Sequence, residues 1–190
     1  MAAERRYIGA LCGALAAILA VTAQAGAAEQ DARIEDFFGT YVGNARLEDN
    51  SEFRDIIVAI EPARKGFSIY TSTVIRKGPV RAVPGVKWRA ETQTFVQSAV
   101  PHLYEPMLRE SMFAQRRSPN LLNGDTVAWA SIRGRTLGVY AMNVLDDGHY
   151  ELRVYERTLT DLGMDVSFIR YRDGVAVREL SGILARAKED

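Results

Sequence analysis

DTVAWASIRGRTLGVYAMNVLDDGHYELRVYERTLTDLGMDVSFIRYRDGVAVRELSGILAR, residues 125–186, decides the fold class. Asp146-Asp147-Gly148 separates Leu137–Leu145 from His149–Thr158, and Arg172-Asp173-Gly174 separates Met164–Tyr171 from Val175–Leu184. Gly after Asp supplies the positive φ that short hairpin loops need. Arg133-Gly134-Arg135 divides Thr126–Ile132 from Thr136–Leu145, and Leu162-Gly163 marks a fourth turn. Side chains along these segments alternate. Met164, Val166 and Phe168 share one parity, against Asp165 and Ser167. Tyr150, Leu152 and Val154 form an apolar set, against a wet set of His149, Glu151 and Arg153. Leu137–Val144 is apolar on both parities, as expected of a strand covered on both sides. Period-two alternation between regularly spaced turns predicts antiparallel β-structure curled into a barrel.

Working back toward the N-terminus, Thr40–Leu47, Asp55–Glu61, Phe67–Arg76 and Val86–Gln97 read as four more strands. The turn Pro62–Gly66 and the loop bracketed by Gly78-Pro79 and Pro84-Gly85 separate them. Gln30–Phe38 reads as a short helix capped by Asp31. Ser98–Gly124 is the one long interruption, punctuated by Pro101, Pro106 and Pro119. Within it Leu103, Met107, Leu108, Met112 and Phe113 have the spacing of one or two helical turns. A connection of this length acts either as a lid or as a plug at one barrel end. The expected fold is mainly β: an antiparallel up-and-down barrel of eight to nine strands, with a short N-terminal helix and a helical loop insertion.

Residues 1–28 read as a secretory signal peptide rather than as fold. Arg5 and Arg6 form the basic region, Tyr7–Val21 the apolar stretch, and Ala23-Gln24-Ala25 a small-x-small cleavage site. The apolar run is short for a span of about 20 residues. Cys12 lies inside it, not after it, which argues against a lipidated cysteine. The barrel domain is then 29–186, followed by a polar tail, 187–190. Cleavage after Ala25 leaves 165 residues without cysteine, carrying 22 basic and 23 acidic groups. That length buries a real core. Lack of cysteine removes disulfides and thiolate chemistry from the domain. The Ala-rich leader points to a bacterial periplasmic or secreted protein.

Few residues suggest catalysis. His149 alternates with the wet set, and His102 sits among Tyr104, Met107 and Met112 without a second ligand at fixed spacing. There is no HExxH and no GxSxG, so neither a zinc site nor a serine hydrolase is expected, and no cofactor. Charge is more informative. No acid lies between Glu61 and Glu91, where Arg64, Lys65, Arg76, Lys77, Arg81, Lys87 and Arg89 cluster. Residues 29–61 carry nine acids against three basic residues. Two readings stay open: a basic rim attracting an anionic ligand or membrane surface, or neutralisation of one hairpin by the other. Near-zero net charge in an exported chain argues against nucleic acid.

Aromatic residues recur on many strands. In a barrel of about eight strands, the interior is either filled by side chains or holds one small ligand. Tyr70, Trp88, Trp129, Tyr140 and Tyr150 are the expected pocket aromatics, with Met107 and Met112 from the long loop. Arg76 and Arg89 are placed to meet an anionic head.

Phe38-Gly39-Thr40-Tyr41, the meander that follows and the late Arg186 together resemble the calycin (lipocalin-like) barrels. That resemblance implies that Tyr41, in place of the usual Trp, closes the barrel floor and that Arg186 stacks on it. The expected function is binding of a small apolar or amphipathic ligand, lipid-like and anionic molecules among the candidates. The alternatives are an envelope interaction or structural module with a packed barrel, and an enzyme relying on His102. Mass spectrometry of the exported protein is expected to find an N-terminus after Ala25, Ala27 or Ala28; retention of Met1 would contradict the leader reading.

Overall fold

The computed structural model describes residues 31–49, 51–77, 87–107 and 119–188. The expected leader, 1–28, therefore lies outside the described residues, as does Met112. Ten strands form the wall: β1 (Gly39–Leu47), β2 (Glu52–Ala63), β3 (Gly66–Lys77), β4 (Lys87–Gln97), β5 (Leu103–Pro106), β6 (Val127–Arg133), β7 (Thr136–Val144), β8 (Tyr150–Leu159), β9 (Gly163–Arg172) and β10 (Val175–Arg186). All neighbouring pairs are antiparallel, and β1 pairs with β10, so the sheet closes on itself. Closure removes both sheet edges.

The expected turns are present. Gly148 and Gly174 have φ of 83° and 80°, in the left-handed region that glycine reaches without strain. Two expectations need correction. The wall has ten strands, not eight or nine, because Leu103–Pro106 is a strand rather than the start of a helix. Four residues ending in proline are too few to carry a period-two signal, and Met107 and Leu108 lend the stretch a helical spacing. The anticipated N-terminal helix is a single 3₁₀ turn, Ile34–Phe37. In that conformation residues three apart eclipse, so Ile34 and Phe37 bury together under the barrel.

This segment is tied down on several sides. The Ala32 N–H donates to the Gly134 carbonyl, and the Asp31 carboxylate accepts from the Gly134 N–H. The fully buried Tyr41 hydroxyl donates to the Phe37 carbonyl over 3.0 Å. The Arg186 guanidinium lies 5.7 Å from the Tyr41 ring centroid and donates to the Phe38 carbonyl. Tyr41 and Arg186 are also direct register partners across the closing seam. Gly39, at φ 137°, lies under this guanidinium; a Cβ there would stand 3.1 Å from its nitrogens.

The core fills the closed end. Tyr41, Ile60, Phe67, Phe95, Tyr104, Ile132, Leu137, Met164 and Leu184 are buried in one cluster. Phe67 stacks on Phe95 and takes the edge of Tyr104 at 5.0 Å. Mid-strand charges such as Glu156 and Asp165 lie on the opposite parity, where a lipid-facing wall would be apolar.

Removing the Tyr41 hydroxyl alone (Tyr41→Phe) is expected to cost about 1 kcal/mol. Tyr41→Ala, which also opens a cavity at the floor, is expected to cost about 4 kcal/mol. Urea unfolding midpoints compared with wild type check both values; equal midpoints for the two variants would show that the ring does not seal the floor.

Candidate functional site

Inward parity follows from the buried residues and the register. On β8 it places Glu151, Arg153, Tyr155, Arg157 and Leu159 toward the lumen, because Tyr155 and Leu159 pack on the core cluster and Arg157 is buried. This inverts the expectation for β8: apolar Leu152 and Val154 face outward. On β9, Met164, Val166 and Phe168 face inward as their alternation predicts. β7 turns Leu137 and Val139 inward, while Tyr140 lies on the outer face, stacked on Trp129 with ring centroids 5.1 Å apart.

The lumen is thus divided. Its lower half is the apolar floor. Its upper half is ionic, built from two arrangements in which one carboxylate lies between two arginines. Glu52 accepts from Arg54 Nε at 2.7 Å and from Arg178 Nη2 at 2.6 Å. Glu151 lies 3.4 Å from Arg153 Nε and 3.8 Å from Arg170 Nε. Arg153 also donates to the Asn143 side-chain oxygen at 3.2 Å. A register shift between Ala176 and Arg178 sets Arg178 opposite Arg170. A bulge re-aims a side chain at this kind of position.

Between floor and clamps lies a cavity of about 70 Å³, lined by the inward-facing Arg54, Ile56, Val58, Thr71, Thr73, Tyr155, Arg157, Val166, Phe168 and Leu180. Tyr155 and Phe168 pack at 4.7 Å. Arg157 is only 8% exposed. Its Nε and Nη1 find no hydrogen-bond acceptor among the described residues. Burial holds its pKa down to about 10, while Tyr155 and Glu91 act to raise it. The group therefore stays cationic at neutral pH. Burial, and then the Glu91 charge, push the Tyr155 hydroxyl above its ordinary value. At the open end a groove of about 480 Å³ runs past Leu47, Arg170 and Arg178.

The residues expected to line the pocket are mostly elsewhere. Tyr70 and Trp88 are exposed on the outer face, the latter 65% exposed with its indole N–H on the Ser72 hydroxyl. Trp129 and Tyr140 stack outside, and Tyr150 is exposed at the open rim. Arg76 lies against Asp55 at 3.0 Å, a pairing that neutralises part of the basic hairpin. Arg89 shares the parity of cavity-lining Thr73, its register partner, but is exposed. Met107 is exposed beyond β5. His102 lies in an exposed turn at φ 60°, and His149 is exposed with its ring on Asp173. Among the described residues, no three His, Cys, Asp or Glu side chains gather as a metal site. Sequence reasoning missed Arg54, Arg153, Arg157, Arg170 and Arg178. Arg153 and Arg157 share the parity of Tyr155, and Arg170 that of Phe168, which is legible in the sequence, but a charged side chain by itself reads as the wet face. Neither known protein families nor curated proteins yield a match to this chain.

Burial raises the Glu52 pKa, but hydrogen bonds from Arg54 and Arg178 outweigh it and hold the group below its ordinary value. A depressed carboxylate contributes stability that is fully present above its unfolded pKa, near about 4.3, and is lost as pH falls through the folded value. Glu52→Gln is expected to cost about 2 kcal/mol at pH 7, since it leaves two guanidiniums without a counter-charge. The difference from wild type should shrink below about pH 4. Urea unfolding measured from pH 7 to pH 3 checks this; a pH-independent difference would contradict it.

Proposed function

We propose that this chain is an exported bacterial envelope protein whose barrel binds a small amphipathic, anionic molecule. The observation that carries this reading is the division of the lumen. Apolar side chains fill the closed end, arginine–carboxylate clamps stand at the open end, and a cavity lies where the two meet. At that boundary Arg157 lines the cavity together with Ile56, Val58 and Phe168, so a small amphipathic anion finds a cation for its charge and an apolar wall for the carbons next to it. Each clamp holds two arginines against one glutamate, so the lumen has an excess of positive charge. Such a surplus attracts anions. The leader supports export, and the calycin-like layout supports a carrier.

The second reading, a packed structural module, draws on one observation: about 70 Å³ is room for roughly two waters, not for a whole lipid. On the carrier reading the headgroup and the carbons next to it are what enter the cavity. Native mass spectrometry of protein recovered from the bacterial envelope separates the two. A retained acidic adduct is expected, released by organic solvent. A bare mass, with no saturable uptake of an anionic dye such as anilinonaphthalene sulfonate, would favour the structural module. Indole fluorescence is a poor reporter here, because Trp88 and Trp129 both face outward.

A further inference from the structure

We propose that Arg157 is the seat of a carboxylate, and that the barrel takes the headgroup of a small amphipathic monocarboxylic acid beneath the two arginine clamps. This rests on the carrier reading above and assigns its anchor and the chemical class of its ligand.

Four other lumen arginines, Arg54, Arg178, Arg153 and Arg170, each stand within 4 Å of a glutamate. Arg157 is buried more deeply than these and has no such partner among the described residues. Its Nε carries one N–H and its Nη1 two, so three donors lack an acceptor among the described residues. A buried guanidinium without a partner is costly, and an apolar side chain of similar volume at that position would stabilise the fold. An arginine kept at such a cost, lining a cavity, is arranged for an acceptor that the described residues do not supply.

Three features narrow that acceptor to a carboxylate. Cavity volume is the first: about 70 Å³ holds a carboxyl group and the first carbon or two behind it. The second is charge. The four clamped arginines already share two carboxylates, and Glu91 adds a negative charge that acts on Arg157 from beyond contact distance. Of the two arginines that line this cavity, Arg54 is paired with Glu52 and Arg157 has no ion-pair partner among the described residues, so the seat itself presents one unmatched guanidinium, which a monoanion matches. The third is the lining. Thr71, Thr73 and Tyr155 are hydroxyl-bearing residues of the same lining, while Ile56, Val58 and Phe168 offer an apolar wall to carbon. A planar carboxylate accepts two parallel N–H bonds from one guanidinium edge, a geometry that a hydroxyl cannot reproduce. A site built around a charged donor then rejects the uncharged analogue, because binding it leaves the donor buried and unmatched.

The test is isothermal titration of the purified chain, dialysed exhaustively, with hexanoate, hexanol and inorganic phosphate, on wild type and Arg157→Met. Hexanoate is expected to bind wild type at one site and to weaken about ten- to a hundredfold in the variant. Hexanol should bind the variant no worse than wild type. The urea midpoint of Arg157→Met should equal or exceed that of wild type, since an unmatched buried charge has been removed. Equal hexanoate affinity in both proteins overturns the seat and leaves the carrier reading standing. So does binding of hexanol without hexanoate, or a preference for phosphate. If neither hexanoate nor hexanol binds wild type, the seat and the carrier reading fall together. A second measurement needs no variant. With ¹³C-carboxyl hexanoate on wild type, the bound carboxyl should titrate below its free value, as expected of a carboxylate held by a cation. Titration at the free value overturns the assignment.

Discussion

The pairing of β1 with β10 is the constraint from which the rest follows. A sheet of ten antiparallel strands leaves two exposed edges unless its ends meet. Here they meet through seven register pairs, from Tyr41 opposite Arg186 to Leu47 opposite Leu180. Small residues make the seam possible. A Cβ at Gly182 would stand 2.2 Å from the Asn44 carbonyl oxygen, so the two backbones approach as only glycine allows. At its lower end the seam is locked by Arg186, which reaches both the Tyr41 ring and the Phe38 carbonyl. That one side chain joins the last strand to the first and to the 3₁₀ turn beneath them. Closure then defines an inside, and the inside decides which side chains are core and which are site.

Within that enclosure, hydrophobic burial and electrostatics dominate at different heights. Burial of the floor supplies the main driving force for folding. Higher up, the wall carries arginines inward on β2, β8, β9 and β10, and each needs a partner to offset lost hydration. Glu52 and Glu151 offset four of them. Their arrangement is intrinsic to the register, since Arg153 faces Arg170 across β8 and β9, and Arg170 faces Arg178 across β9 and β10. Arg157, one pleat below Tyr155, falls where the wall is otherwise apolar and no glutamate follows it down. The same closure that stabilises the floor thus isolates one charge above it.

Chain chemistry alone determined the β class, the antiparallel meander and nine of the ten strands. Asp-Gly turns and period-two alternation are local signals that need no partner to be read. Tyr41 and Arg186 were identifiable as a closing pair only by resemblance. Which face of each strand is the lumen was not legible on β8, since Leu152 and Val154 look like core and Glu151, Arg153 and Arg157 look like surface. That assignment reverses because the upper lumen is polar, and only the register with β7 and β9 reveals it. Trp88, Trp129 and Tyr140 were equally ambiguous: an aromatic side chain has the same strand preference on either face of a wall. Ring closure, the clamps and the isolation of Arg157 were decided by tertiary structure, because each depends on residues brought together across the barrel, as Glu52 and Arg178 are over 126 positions of chain.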